Sequence, residues 1–138
     1  QAGGLPIYAA QGGGEGKMIL PHIPDKKIVY YIARNYYPKL LEAGIQVYEY
    51  TPGSVHAKVF SVDGSSATVG TINLDYRSFY HHFECGCYFY DSSVIQDIEA
   101  DFQRTLEDCQ EVTMEYYKKL PLHQKLIGTL FKLIAPLM

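Results

Sequence analysis

The sequence predicts an α/β fold: a mixed, mainly parallel sheet flanked by helices. Three observations carry that reading. Lys17-Met18-Ile19-Leu20, a helical stretch and Ile45 to Tyr50 stand in strand–helix–strand order, the order of a parallel pair joined by a crossover. Val55 to Asp63 is rich in strand formers and runs into Asp63-Gly64, a tight-turn signal, with Ala67-Thr68-Val69 as the return strand. Val94, Ile95, Ile98, Phe102 and Leu106 recur at helical spacing and give a face able to cover a sheet.

Residues 1–17 form a Gly-rich N-terminal segment, and residues 18–138 a single domain. Leu5 to Ala10 reads as a strand and Gly12-Gly13-Gly14 as a flexible connection. No Gly-Lys-Ser or Gly-Lys-Thr follows, so these glycines are not read as a phosphate-cradling loop. Lys17 to Leu20 is a buried strand closed by Pro21 and Pro24. Asp25 is the N-cap of a helix over Lys26 to Ala43, with Val29, Ile32, Ala33, Tyr36, Leu40 and Leu41 on one face. Pro38 should kink or split it, and Gly44 ends it. In the next strand Ile45, Val47 and Glu49 share a face.

Further on, Asn73 to His81 reads as a short helical turn carrying Arg77 and Ser78. Phe83 to Tyr90 is a strand with Phe83, Cys85, Cys87 and Phe89 on an apolar face and Glu84, Gly86, Tyr88 and Tyr90 on the other. Asp91-Ser92-Ser93 caps the helix that runs to about Cys109. Pro121 opens a last helix. Its Leu122, Leu126, Ile127, Leu130, Phe131, Leu133, Ile134 and Leu137 either pack on the domain or lie on a membrane surface, and Lys125 and Lys132 break the apolar surface.

A chain of 138 residues with 47% apolar content is long enough for one domain with a real core. Its net charge of −3 gives no sign of a nucleic-acid binder. Three cysteines, Cys85, Cys87 and Cys109, read as reduced thiols and not as a disulfide framework. No run of about 18 apolar residues occurs, so no clear transmembrane helix is expected, and no signal peptide is visible in these residues. The start at Gln1 leads us to expect a piece excised or processed from a longer chain.

The chemistry concentrates around His56 and Lys58. In a strand they point the same way, with Ala57 and Val59 turned to the core. Lysine supplies a fixed positive charge and three donors, and neutral histidine a nucleophile or base. Gly70-Thr71-Ile72-Asn73 is a small-residue turn that can bring backbone N–H groups and the Asn73 amide to the same place. By parity Asp63 faces away and is structural. A zinc site from His81, His82, Cys85 and Cys87 lacks the usual two-residue cysteine spacer, and no carboxylate cluster is evident, so neither metal nor cofactor is expected.

His-x-Lys, four residues, Asp, six residues, Gly-Thr-x-Asn resembles the HKD signature of the phospholipase D superfamily. Tyr48-Glu49-Tyr50-Thr51-Pro52-Gly53 before it, and Asn73-Leu74-Asp75-Tyr76-Arg77-Ser78-Phe79 after it with Phe83-Glu84 downstream, resemble bacterial cardiolipin synthases. The likeness runs from about Met18 to Met138. It implies a phospholipase D-like half and a phosphohistidine mechanism without metal. His56 would attack phosphorus or protonate the leaving oxygen. Lys58 and Asn73 would hold the non-bridging oxygens, and Glu84 would fix the imidazole tautomer. Thr71 stands where many relatives have serine and can donate the same bond. Arg77 would bind a headgroup phosphate or pair with an acid.

The implied reaction is phosphatidyl transfer between two phosphatidylglycerol molecules, giving cardiolipin and glycerol at a bacterial cell membrane, on or near its cytoplasmic side. In-line displacement needs groups on both sides of phosphorus, and this chain carries one His-Lys-Asn set. A second HKD half or a twofold-related copy is therefore the expected partner, with an exposed apolar patch beside His56 where it docks. The alternatives are a homodimeric phosphodiesterase or nuclease of the same superfamily, and a catalytically incomplete lipid-binding domain.

Overall fold

The computed structural model describes residues 14–23, 27–73, 78 and 83–132, with the main chain alone at 131–132. The elements run β1 (Gly16–Pro21), α1 (Lys27–Arg34), α2 (Tyr37–Glu42), β2 (Ile45–Tyr50), β3 (Lys58–Val62), β4 (Ser66–Gly70), β5 (Gly86–Tyr90), α3 (Val94–Glu107), β6 (Cys109–Val112), α4 (Met114–Lys119) and α5 (Leu122–Lys132). Pro38 divides the long helix expected from the sequence. It falls in the first turn of α2, where its missing N–H costs nothing. Gly44 follows at φ 87, a left-handed conformation that ends the helix. The proposed cap Asp25 lies outside the described residues, as do the readings of residues 1–13.

The fold is α/β, with mixed strands flanked by helices. The parallel share is smaller than expected. β1 and β2 pair in parallel through the α1–α2 crossover, from Gly16 opposite Ile45 to Pro21 opposite Tyr50. β6, a strand the sequence reading missed, adds antiparallel to β2. β3, β4 and β5 form a second, wholly antiparallel sheet. A turn as short as the one after Val62 can only return β4 antiparallel to β3, because a parallel return needs a crossover of about a dozen or more residues. Helix α3 touches β2 and β6 of the first sheet and β3 and β4 of the second, so it joins the two.

The main core lies between α2, β2 and β6. Tyr37, Leu40, Ile45, Val47 and Val112 are buried there, with Met18, Leu20 and Tyr117 packed around them. A smaller core holds Ala67 of β4 and Ile95 of α3. No side-chain hydrogen bond caps α3 at Ser93, contrary to the expected cap. The β3–β4 connection is as the sequence predicts: Asp63 and Gly64 both have positive φ, 52° and 61°, and Ser65 N–H donates to the Val62 carbonyl at 3.1 Å. Two left-handed residues in succession are the φ pattern of a type I′ turn, and because Val62 pairs with Ser66 the connection holds three residues, Asp63 to Ser65.

Two expectations about faces are corrected. Ala57 and Val59 do not enter a core; both are exposed. On β5 only Phe89 of the apolar set is partly covered, while Phe83, Cys85 and Cys87 are exposed. The reason is the position of α3. It covers that side of the sheet only at the end where Ala67 is buried and the Ser61 hydroxyl donates to Glu99.

Candidate active site

β3 begins at Lys58, so His56 stands in the segment leading to the strand, not within it. The β3–β4 ladder ends with Lys58 opposite Gly70, which leaves Val55 to Ala57 unpaired in it. The two side chains still meet. Lys58 Nζ lies 2.8 Å from His56 Nδ1 and 3.0 Å from Nε2, and donates to the His56 carbonyl at 2.6 Å. His56 is exposed and Lys58 half-buried. An ammonium against an exposed imidazole can offer charge and a nucleophilic nitrogen to the same anion.

The floor beside Lys58 is bare backbone. Gly70 pairs with Lys58 on one side and Gly86 on the other. A Cβ on Gly70 would come 2.6 Å from Gly86 Cα, closer than real side chains come, so the approach requires glycine.

Thr71 follows Gly70. Its N–H donates to the Cys85 carbonyl at 2.9 Å, its Oγ1 accepts from Cys85 N–H at 3.0 Å, and its hydroxyl donates to the Glu84 carboxylate. Asn73 Nδ2 donates to the hydroxyl of buried Ser78 at 3.4 Å. The register gathers these groups. Lys58 opens β3, Gly70 closes β4 and Gly86 opens β5, so His56, Thr71, Asn73 and Glu84 all leave one end of the second sheet. The structure thus brings together His56 with Lys58, and Thr71 with Glu84. Asp63 sits in the turn at the opposite end of β3. Arg77, His81 and His82 lie outside the described residues.

A second polar centre was not recognised in the sequence. Glu49 has a relative exposure of 0%. Its Oε1 accepts from Arg34 Nε at 2.9 Å and Tyr37 OH at 2.7 Å; its Oε2 accepts from Arg34 Nη2 at 2.8 Å, Tyr116 OH at 2.9 Å and His22 Nδ1 at 2.6 Å. Arg34 also stacks on the Tyr30 ring, 4.2 Å from its centroid, and reaches Gln124 Oε1 at 3.2 Å. Burial raises the Glu49 carboxyl, but the bonds from Arg34, His22 and Tyr37 outweigh it and hold the group below the usual carboxylate range. Burial, with the neighbouring Glu49 charge, pushes Tyr30 and Tyr116 up to about 12. One signal was available: Glu49 shares the strand face of Ile45 and Val47, and an acid on a core face needs a partner.

The chain belongs to the family described as the cardiolipin synthase, phospholipase D-like domain, whose family model matches residues 6–106. It is 52% identical over 131 residues to an uncharacterized protein of Streptococcus mutans, covering 95% of this chain and 28% of that one. It is 38% identical over 130 residues to cardiolipin synthase 2 of Bacillus anthracis, covering 94% of this chain and 25% of the relative. It is also 38% identical to a cardiolipin synthase of a Geobacillus species, over 94% of this chain and 26% of the relative. The chain therefore spans about a quarter of the length of the curated relatives it matches.

Proposed function

We propose that this chain supplies one of two catalytic sets of a phosphatidyltransferase that makes cardiolipin from two phosphatidylglycerol molecules. The contact between Lys58 Nζ and the His56 ring carries the reading. In the first step a histidine nitrogen forms a bond to phosphorus, the bond to the glycerol oxygen breaks, and that oxygen takes a proton. In the second, a glycerol hydroxyl of another phosphatidylglycerol loses its proton, attacks phosphorus and displaces the histidine. His56 serves as the nucleophile or as the acid that protonates the leaving oxygen. Lys58 and Asn73 hold the non-bridging oxygens, where charge is stabilised as bonds change. Thr71 adds a hydroxyl donor, Arg77 a headgroup contact, and Glu84 fixes the imidazole tautomer.

Attack and departure occur on opposite sides of phosphorus, and one imidazole cannot serve both. The second set comes from another half of the protein or a twofold-related copy. The length of the relatives, about four times that of this chain, supports the first source. Val59 and Val69 are exposed, but they project from the opposite face of the sheet to Lys58 and so are not the apolar patch expected beside His56. The relatives named cardiolipin synthase support a bacterial membrane as the place of action.

The test is turnover of phosphatidylglycerol to cardiolipin and glycerol in an assembly that contains both sets, with His56→Ala in this one. Loss of a group needed for the chemistry should lower the rate by several orders of magnitude, about 10⁴-fold or more, with the fold intact. A rate within about tenfold of the unaltered assembly would reject His56 as essential.

A further inference from the structure

The apolar side of α5 is exposed at Leu122, Leu126 and Leu130, because that helix meets α1 through Gly128 and Gln124. A second exposed group, at the start of β5, has chemistry of its own. Cys85 and Cys87 are free and exposed, with only Gly86 between them. Cys85 precedes β5, yet it continues the ladder. It donates its N–H to Thr71 Oγ1 at 3.0 Å and accepts from the Thr71 N–H at 2.9 Å. Side chains two apart in a ladder project to the same side, so the two thiols are neighbours on one face.

Cys109 supplies the contrast. It is half-buried, its thiol donates to the Thr105 carbonyl at 3.1 Å, and burial with the nearby Asp108 charge pushes that thiol up. A thiol held protonated is a poor nucleophile, whereas exposed thiols are the ones a small oxidant reaches.

Distance keeps the exposed pair apart in the strand. Two residues of strand separate both Cα and Cβ atoms by about 6.6 Å, whereas a disulfide brings the Cβ atoms to about 3.8 Å. Closing the pair therefore requires the chain to shorten at Gly86. Glycine has the backbone freedom to do so. But Gly86 is the ladder partner of Gly70, and Cys85 that of Thr71. A chain bent at Gly86 cannot keep both pairings. The reduced form holds Thr71 against Cys85, with the Thr71 hydroxyl on the Glu84 carboxylate. The closed form would give that clamp up.

We propose that Cys85 and Cys87 are a dithiol site for reversible oxidation by a low-molecular-weight disulfide such as oxidised glutathione, and that closing it releases Thr71 and switches the site off. One protein thiolate attacks a sulfur of the small disulfide. A mixed disulfide forms, the original S–S bond breaks, and one small thiolate leaves. The second protein thiolate then attacks the protein sulfur of the mixed disulfide, which forms the Cys85–Cys87 bond and expels the other small thiolate. The protons of the two protein thiols end on the two small thiols: the protein pair is oxidised and the small disulfide reduced. The effect on turnover rests on the catalytic reading of Thr71 and Glu84; the thiol chemistry does not.

Trypsin separates the pair from Cys109. Cleavage after Arg77 and Arg104 leaves one peptide, Ser78 to Arg104, that carries Cys85 and Cys87 alone. Full-length protein treated with excess oxidised glutathione, alkylated and digested should give this peptide lighter by two hydrogen atoms and unalkylated. Cys85→Ser and Cys87→Ser should each stop at the mixed glutathione disulfide. Amide exchange at Thr71 should rise about tenfold or more on oxidation and return with dithiothreitol. Turnover should fall about tenfold or more and recover in the same way, and the double serine variant should lose this response. The proposal is overturned if the peptide keeps two alkylatable thiols, or takes up two glutathiones without an internal bond. It is equally overturned if closure leaves Thr71 exchange unchanged, or leaves turnover unchanged in an assembly active when reduced. An assembly inactive even when reduced would reject the catalytic reading instead, and the mass and exchange results would still decide the dithiol.

Discussion

The guanidinium of Arg34 meets the carboxylate of Glu49 edge to edge in the interior, with Nε 2.9 Å from Oε1 and Nη2 2.8 Å from Oε2. The pair links the last residue of α1 to the next-to-last residue of β2. Glu49 also lies seven positions before His56, at the root of the segment that delivers the imidazole.

Breaking that pair should be costly. Glu49→Gln keeps the shape, removes the charge and leaves the guanidinium buried beside a neutral amide. Loss of one partner of a buried pair costs about 3–5 kcal/mol, measurable as a lower urea midpoint. Combining it with Arg34→Met should cost less than the sum of the two single changes, because the second removes the stranded charge. A loss under about 1 kcal/mol for Glu49→Gln would show that the pair does not hold the interior together.

The same carboxylate sets an acid limit. Its pKa is lower in the folded chain than in the unfolded one, so the unfolded chain binds the proton more tightly. Its stabilisation is therefore full above the unfolded glutamate value of about 4.3 and is lost as pH falls through the folded value. Thermal unfolding followed from about pH 6 down to about pH 3 should show a falling midpoint, with a shallower slope in Glu49→Gln. Equal slopes in the two proteins would assign the acid limit to other carboxylates.

Gly128→Ala should loosen α5. The added methyl meets the Tyr31 carbonyl, part of a helix backbone that cannot step aside cheaply. Overpacking of this kind costs about 1–3 kcal/mol. Hydrogen exchange should rise first in α5, before the β-sheet cores. A variant as stable as the parent would mean that the two helices are not in such close contact.

Asp63 should matter through its backbone. At φ 52 it occupies a conformation that aspartate and asparagine tolerate better than most residues. Asp63→Asn should be neutral to within about 0.5 kcal/mol, whereas Asp63→Val should cost about 1–2 kcal/mol. Neither should alter the turnover of folded enzyme in the complete assembly. A rate collapse in a well-folded Asp63→Asn variant would give this carboxylate a chemical role.

Local features of the sequence determined much of this protein. Asp63-Gly64 specified its turn because the dipeptide favours left-handed backbone, and Pro38 with Gly44 specified where helices divide and end. The His56-x-Lys58 spacing anticipated their contact, although the shared strand assumed for it was not found, since β3 begins at Lys58. Tertiary structure decided what depends on the placement of distant elements. The burial of Glu49 depends on His22, Arg34, Tyr37 and Tyr116, which come from four separate parts of the chain. Whether Val59 and the leucines of α5 were inside or outside depended on where α3 and α1 came to rest. An amphipathic pattern says that an element has two unlike faces; only the neighbour that arrives, and the side it covers, decides which of them meets solvent.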